Sequence, residues 1–267
     1  MAESSSLPEH LHDRLAEEAR FHDEQAAQRA ATFAKEPHRL AFSDAEYLDH
    51  EPWIRPAMQQ LLGHFPDRTR CTLLDYGCGH GMAAVVMARA GARVWGCDLS
   101  AGYIREAEQR AIANGVPEIE WTATDVHRLP YADASVDGIW GSAILHHLDL
   151  SVAATELRRI LKPGGVAVFC EPWGGNPLLR LARRRLPYPG KHRTADEAPL
   201  MPADLPKLRA IFPKLSVQGY QLFGMLRRLR LPGGIARGLD RIDRGLLKIA
   251  PKCGHWGRYI VVTLVRD

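Results

Sequence analysis

The stretch Thr72-Leu-Leu-Asp75-Tyr-Gly77-Cys-Gly79-His-Gly81 decides how the rest of this 267-residue chain is read. Its apolar opening, Leu73 and Leu74, predicts a short buried strand that ends at Asp75. Glycines at 77, 79 and 81 break the strand into a loop. A helix is expected from Met82 to Ala90, in the run Met-Ala-Ala-Val-Val-Met-Ala-Arg-Ala, with Gly91 as its stop. Strand, glycine loop and helix form the first third of a nucleotide-binding βαβ unit. Glycine admits positive φ and lets a ligand lie on bare peptide. The helix start offers unpaired N–H groups to an anionic part of that ligand.

The spacing discriminates between nucleotides. A dinucleotide loop, G-x-G-x-x-G, needs glycine at position 82, where Met82 stands. Asp75 lies two residues before the first glycine, where a carboxylate would repel a pyrophosphate and attract an ammonium or sulfonium. The loop therefore suits a cationic, phosphate-free ligand, and a nicotinamide-dependent oxidoreductase is the weaker reading. Leu73 to Gly81 resembles motif I of the class I S-adenosylmethionine-dependent methyltransferases. In that family the Asp-x-Gly-x-Gly-x-Gly loop holds the methionine end of the cofactor. The resemblance implies Asp75, Gly77, Cys78, Gly79 and Gly81 as cofactor-binding residues, S-adenosylmethionine as cofactor and S-adenosylhomocysteine as product.

Moving outward, Arg93 to Asp98 reads as an apolar strand ending in an acid. Asp98 stands 23 residues beyond Asp75, where a carboxylate can accept both ribose hydroxyls, with Leu99 beside it. Ser100 is placed to cap a helix over 101–114. A strand from Ile119 to Ala123 leads to Asp125 and Val126, which the resemblance implies as the frame of the adenine. The next strand, Val136 to Ser142, runs into Leu145-His146-His147. The family passes this segment beneath the transferred methyl, so Ser142 joins the cofactor set and the two histidines are candidate general bases. The Asn/Asp-Pro-Pro-Tyr/Phe signature of nucleobase N-methylation is missing there, which counts against a DNA adenine methylase. A helix over 152–160 is followed by Lys162-Pro-Gly-Gly165 entering a strand. Glu171 ends that strand at the ligand-binding edge of the sheet and completes the catalytic candidates. The resemblance covers residues 71–172.

Both flanks are less generic. Residues 8–35 show apolar positions near helical spacing, Pro37 ends that region, and a further helix is expected over 56–64. Pre-core helices in this family lid the cofactor, so His22, Tyr47 and Trp53 are candidate substrate contacts, as is Trp173 just past the core. Beyond it, a Gly/Pro turn opens a basic amphipathic helix ended by Pro187, Pro189 and Gly190. Strands are expected over 214–222 and 258–265, and the long insertion between them carries an apolar stripe of Ile235, Leu239, Ile242, Leu246 and Ile249. Residues 180–267 hold 19 Lys and Arg against 6 Asp and Glu, a charge of +13, while residues 1–179 carry −9. That basic segment has three readings: solvated faces, a wall for an anionic substrate, or attachment to an anionic membrane surface. Nucleic acid is disfavoured, because stacking aromatics do not interleave with the basic residues.

Five cysteines without C-x-x-C or metal-ligand spacing read as reduced thiols of a cytoplasmic protein, and no metal is expected. No run approaches the ~18 apolar residues of a transmembrane helix. The expected fold is an α/β Rossmann-like three-layer sandwich with a mostly parallel seven-stranded sheet, its last strand antiparallel. Residues 1–66 form a helical lid, 67–172 the cofactor-binding core, and 173–267 a basic elaboration that completes the sheet. The expected activity is methylation of an oxygen, nitrogen or carbon of a small-molecule acceptor. A non-methylating cyclase on the same fold and a macromolecular or membrane-associated acceptor are the alternatives. The exposed stripe raises the prospect of a homo-oligomer.

Overall fold

A computed structural model describes residues 9–185, 198–223, 226 and 233–267. The strands are β1 (Thr72–Tyr76), β2 (Arg93–Asp98), β3 (Glu120–Ala123), β4 (Val136–Ser142), β5 (Leu161–Pro172), β6 (Lys214–Tyr220) and β7 (Tyr259–Val265). They form one seven-stranded sheet in the order β3-β2-β1-β4-β5-β7-β6. Strands β1 to β5 are mutually parallel, and β7 runs antiparallel to both β5 and β6. This is the expected Rossmann-like architecture.

Alternation along the strands builds two apolar layers. Leu74, Tyr76, Ile139, Ala167 and Phe169 face α6 (Leu150–Ile160) and α8 (Leu205–Ile211). Leu73, Trp140, Val166, Val168 and Cys170 face α3 (Ile54–Gly63) and α4 (Met82–Arg89). Helix α5 (Ala101–Ala113) is capped as expected by Ser100, whose hydroxyl accepts from the Tyr103 amide.

The 27-residue helix α1 (Glu9–Lys35) lies along α5. Asp23 Oδ1 accepts from the Ser100 hydroxyl at 2.6 Å and the Gly102 amide at 2.8 Å, and these donors hold its carboxyl below the usual carboxylate range. Arg29 pairs with Glu106 at 2.9 Å, and Ala26 is buried against Gly102. The aromatic, acidic segment that follows folds as α2 (Asp44–Leu48) under a Ser43–Glu46 capping box.

Some boundaries differ from expectation. Helix α6 starts at Leu150 because the Asp149 side chain caps the amides of Ser151 and Val152. Strand β5 starts at Leu161, before the glycine pair, with an irregular register opposite Val136 and Gly138. The basic helix α7 spans Pro177–Arg185, and its expected end at Pro187, Pro189 and Gly190 lies outside the described residues. The apolar stripe on α9 (Gly233–Ile249) is divided. Ile235, Ile242 and Ile249 are 52, 57 and 86% exposed, while Leu239 and Leu246 turn partly inward.

Candidate active site

Where the strand order reverses, between β1 and β4, an open parallel sheet leaves a crevice at its carboxyl edge. The structure has a cleft of about 190 Å³ there. Gly77 and Gly79 form its floor, with Asp98, Leu99, Asp125, Val126 and Ser142 around it, and His147 and His22 complete the expected residues. Three elements that sequence periodicity keeps far apart are thus brought to one wall.

The glycine loop is held open by its own backbone. Gly77, Gly79 and Gly81 have φ of 69°, 50° and 77°. At Gly81 a Cβ would stand 2.7 Å from that of Ala107 and 2.8 Å from the Trp121 ring, so Gly81 lets α4 start hard against α5. A Cβ on Gly79 would meet no atom within 4 Å, which makes Gly79 a cradle against which a ligand can lie. The Asp98 carboxylate braces this loop, accepting from the Gly79 amide at 2.8 Å and the Ser100 amide at 2.9 Å. Burial nonetheless raises its pKa. Ala143, with φ 56°, carries left-handed backbone into the cleft wall at a residue that has a Cβ.

Asp125 is held by His127, a neighbour that no motif marks. Its Oδ1 accepts from the His127 amide at 2.9 Å and contacts His127 Nδ1 at 2.7 Å. His127 Nε2 accepts from the Asp149 amide, so Nδ1 carries the proton and donates to Asp125. The tautomer is therefore fixed by the start of α6.

The His146 and His147 rings lie 4.1 Å apart, tilted by 42°, and face different partners. His146 Nδ1 meets Glu171 Oε2 at 2.7 Å, while Glu171 Oε1 accepts from the Ile144 and Leu145 amides at 2.9 and 2.8 Å. Glu171 is fully buried. It fixes the loop after β4 from behind and does not reach the cleft, which corrects its reading as a residue that touches substrate. His147 lines the cleft, and its Nδ1 meets Glu18 Oε1, on α1, at 2.9 Å.

Other candidates sit elsewhere. Asp75, expected to face a cationic ligand, is 2% exposed, and its Oδ2 accepts from the Ala84 amide at 3.0 Å inside α4. Strand alternation puts it under α4, outside the cleft lining, and burial pushes its pKa up to about 7. Cys78 and Gly81 shape the loop without lining the cleft. Trp53 is buried and stacks on Tyr259 at 3.9 Å, and Tyr47 packs into the same layer, its phenol pushed well up by burial. Trp173 is fully buried and donates from Nε1 to the His255 carbonyl at 3.0 Å. These three aromatics are core residues, not cleft walls.

Glu18, Tyr103, Ala143, Ile144 and Leu148 line the cleft without having been singled out. Only Glu18 carried a signal, being four residues before His22 and so on the same face of α1. Among the described residues no three His, Cys, Asp or Glu are grouped to hold a metal, and no helix is long and apolar enough to cross a membrane.

Residues 74–169 match the family described as a methyltransferase domain. The chain is 33% identical over 124 residues to a malonyl-[acyl-carrier protein] O-methyltransferase of Pseudescherichia vulneris, covering 46% of this chain and 47% of that one. It is 30% identical over 164 residues to a trans-aconitate 2-methyltransferase of Azoarcus sp. (strain BH72), covering 60% of this chain and 62% of that one. The chain thus spans about half the length of the curated relatives it matches. The fold matches a solved geranyl diphosphate C-methyltransferase from Streptomyces coelicolor A3(2) at a TM-score of 0.54 and 20% identity, over 80% of this chain and 79% of that one.

Proposed function

With residues 74–169 a domain of the class I S-adenosylmethionine-dependent methyltransferase family, we propose that the chain transfers a methyl group from S-adenosylmethionine to an oxygen, nitrogen or carbon of a small-molecule acceptor. The observation that carries this reading is one cleft wall that joins the braced glycine loop and Asp98 to a histidine with its own carboxylate, His147 with Glu18.

The cleft suits the cofactor on its own chemistry. Gly79 offers an open backbone cradle, Asp98 an acceptor for hydroxyls, and Asp125 and Val126 a polar and an apolar contact for a planar base. When bound, S-adenosylmethionine supplies an electrophilic methyl on a good leaving group, so alignment and exclusion of water are the protein's main tasks. Helix α1 roofs the cleft through Glu18 and His22. Glu18 orients His147 by holding Nδ1, and Nε2 is then the nitrogen that takes a proton from a hydroxyl or amine acceptor. His146 and Glu171 fix the backbone that carries His147. Residues 1–66 serve as the lid in this reading, and the part beyond residue 172 supplies the acceptor side.

Calorimetric titration with S-adenosylhomocysteine and with NADH tests the cofactor. The expected outcome is binding of the first alone, lost in Asp98→Ala. Binding of NADH alone would overturn the proposal. With an acceptor panel, release of S-adenosylhomocysteine in step with product separates methyl transfer from a cyclase that leaves the cofactor unchanged.

A further inference from the structure

We propose that this chain docks on the surface of an anionic lipid bilayer through a face built on α9, Phe223, Leu226 and the 251–256 turn. Among the described residues ten large apolar side chains are exposed, and all but Ile112 and Val152 fall between residues 178 and 256. The same part of the chain carries the +13 charge. Apolar exposure and positive charge thus coincide, although folding normally drives the first of them inward.

Their arrangement on α9 is that of a helix lying flat at an interface. Ile235, Ile242 and Ile249 recur every seven residues, a nearly straight exposed ladder about 21 Å long at 1.5 Å per residue. Arg241 and Lys248 are exposed about 100–120° round the helix from it, and Arg237 and Arg244 are exposed about 140–160° round. The two carboxylates of the helix turn the other way: Asp243 is 4% exposed and accepts from the Phe223 amide at 2.9 Å, and Asp240 is half-buried. Leu246 lies one helical turn from both Ile242 and Ile249, and it also lines an apolar hollow with Phe223, Leu226 and Trp256. Ladder and hollow are therefore one continuous surface. Helix α7 adds exposed Leu178 and Leu181 one turn apart, and its first turn is tied to this surface by Asn176 Nδ2 donating to the Trp256 carbonyl at 2.7 Å.

Charge selects the occupant. A second copy would bring the same cations against these, which disfavours self-association. Anionic headgroups meet the arginines and lysine while the isoleucines enter the apolar layer beneath. Topology gives the face a use. Tyr220 and Tyr259 pair at the carboxyl edge of the sheet, so α9 and the 251–256 turn, which follow one strand and precede the other, are joined to the sheet on the same edge as the cofactor cleft. A protein seated this way would meet an amphiphilic acceptor without withdrawing it far from the bilayer.

The test is co-sedimentation of the full chain with vesicles of phosphatidylcholine alone or of phosphatidylcholine containing phosphatidylglycerol. It needs no acceptor, and S-adenosylhomocysteine affinity is read separately, so failure of this inference and failure of the methyl-transfer reading are distinguishable. The expected result is partition to the anionic vesicles only, weakened about fivefold by each of Arg241→Gln and Lys248→Gln. Ile242→Asp should weaken it further with cofactor affinity intact. If Ile242→Asp loses cofactor binding, the two charge variants decide. Equal partition to neutral vesicles, or none to either, would overturn the proposal. So would a concentration-dependent dimer abolished by Ile242→Asp, which assigns the face to a second copy. Retention on immobilised polyglutamate with no vesicle partition would assign it to an acidic protein.

Discussion

The two halves of the sheet's carboxyl edge are built on opposite terms. On the β3-β2-β1-β4 side each carboxylate at the edge is engaged by a named donor: Asp98 by two amides, Asp125 by His127, Asp75 by the start of α4. On the β5-β7-β6 side, by contrast, Ile235, Ile242 and Ile249 face outward, and Arg237, Arg241, Arg244 and Lys248 of the same helix are exposed. The first arrangement suits a ligand of fixed shape and charge, because preorganised donors must match it. The second suits a partner that is broad and deformable. A protein can thus keep one ligand constant while its other surface changes.

The largest effect is expected at the seam between the halves. Glu171→Ala removes the acceptor of three donors in a fully buried site. Each buried donor left unpaired costs about 1–3 kcal/mol, so a loss of about 4 kcal/mol should appear as a lowered urea midpoint. Asp98→Ala should leave the fold in place while S-adenosylhomocysteine affinity, read by calorimetry, falls about 100-fold.

Asp75 sharpens the contrast through pH. Its folded-state pKa is raised to about 7, so the native state binds a proton that the unfolded chain has already released. Stability should therefore decline as pH rises from the ordinary carboxylate range to about 7. Asp75→Asn should flatten that decline in melting curves and be the more stable protein above pH 7. A variant that kept the wild-type slope would place the titrating group elsewhere.

Two smaller effects bracket the remainder. Glu18→Gln should lower kcat about tenfold with cofactor affinity unchanged, because it loosens His147 without touching the glycine loop. Ile242→Asp, at a side chain 57% exposed, should alter the unfolding free energy read from urea titration by no more than about 0.5 kcal/mol. A large destabilisation there would show the ladder to be core, and the contrast between the halves would fail.

Much of the cofactor side was legible because its signals are local. A strand end followed by Gly77, Gly79 and Gly81, and an acid 23 residues on, are readable without knowing what lies across the sheet. Glu18 was not, because it meets His147 over a separation of 129 residues that only packing of α1 on α5 creates. His127 was hidden for a related reason, its role being set by an amide at the start of α6. Tyr47, Trp53 and Trp173 misled because aromatic residues near a site are equally suited to core and to pocket. Which they become depends on the face of the sheet beneath them. Asp75 shows the same limit within the motif itself.

The pairing of Tyr220 with Tyr259 has a consequence for how such a chain can change. The Arg258 amide donates to the Tyr220 carbonyl at 2.9 Å, so the excursion between these strands leaves and re-enters the sheet at adjoining points. Lengthening a loop whose ends are already fixed costs only about 0.6 kcal/mol per doubling. The 221–258 segment can therefore be shortened, lengthened or exchanged between relatives while the register of β6 on β7 survives. The fold thus has the layout of a cassette: one contiguous block can be replaced between two fixed points of the sheet, while the strand order that holds the glycine loop stays as it is.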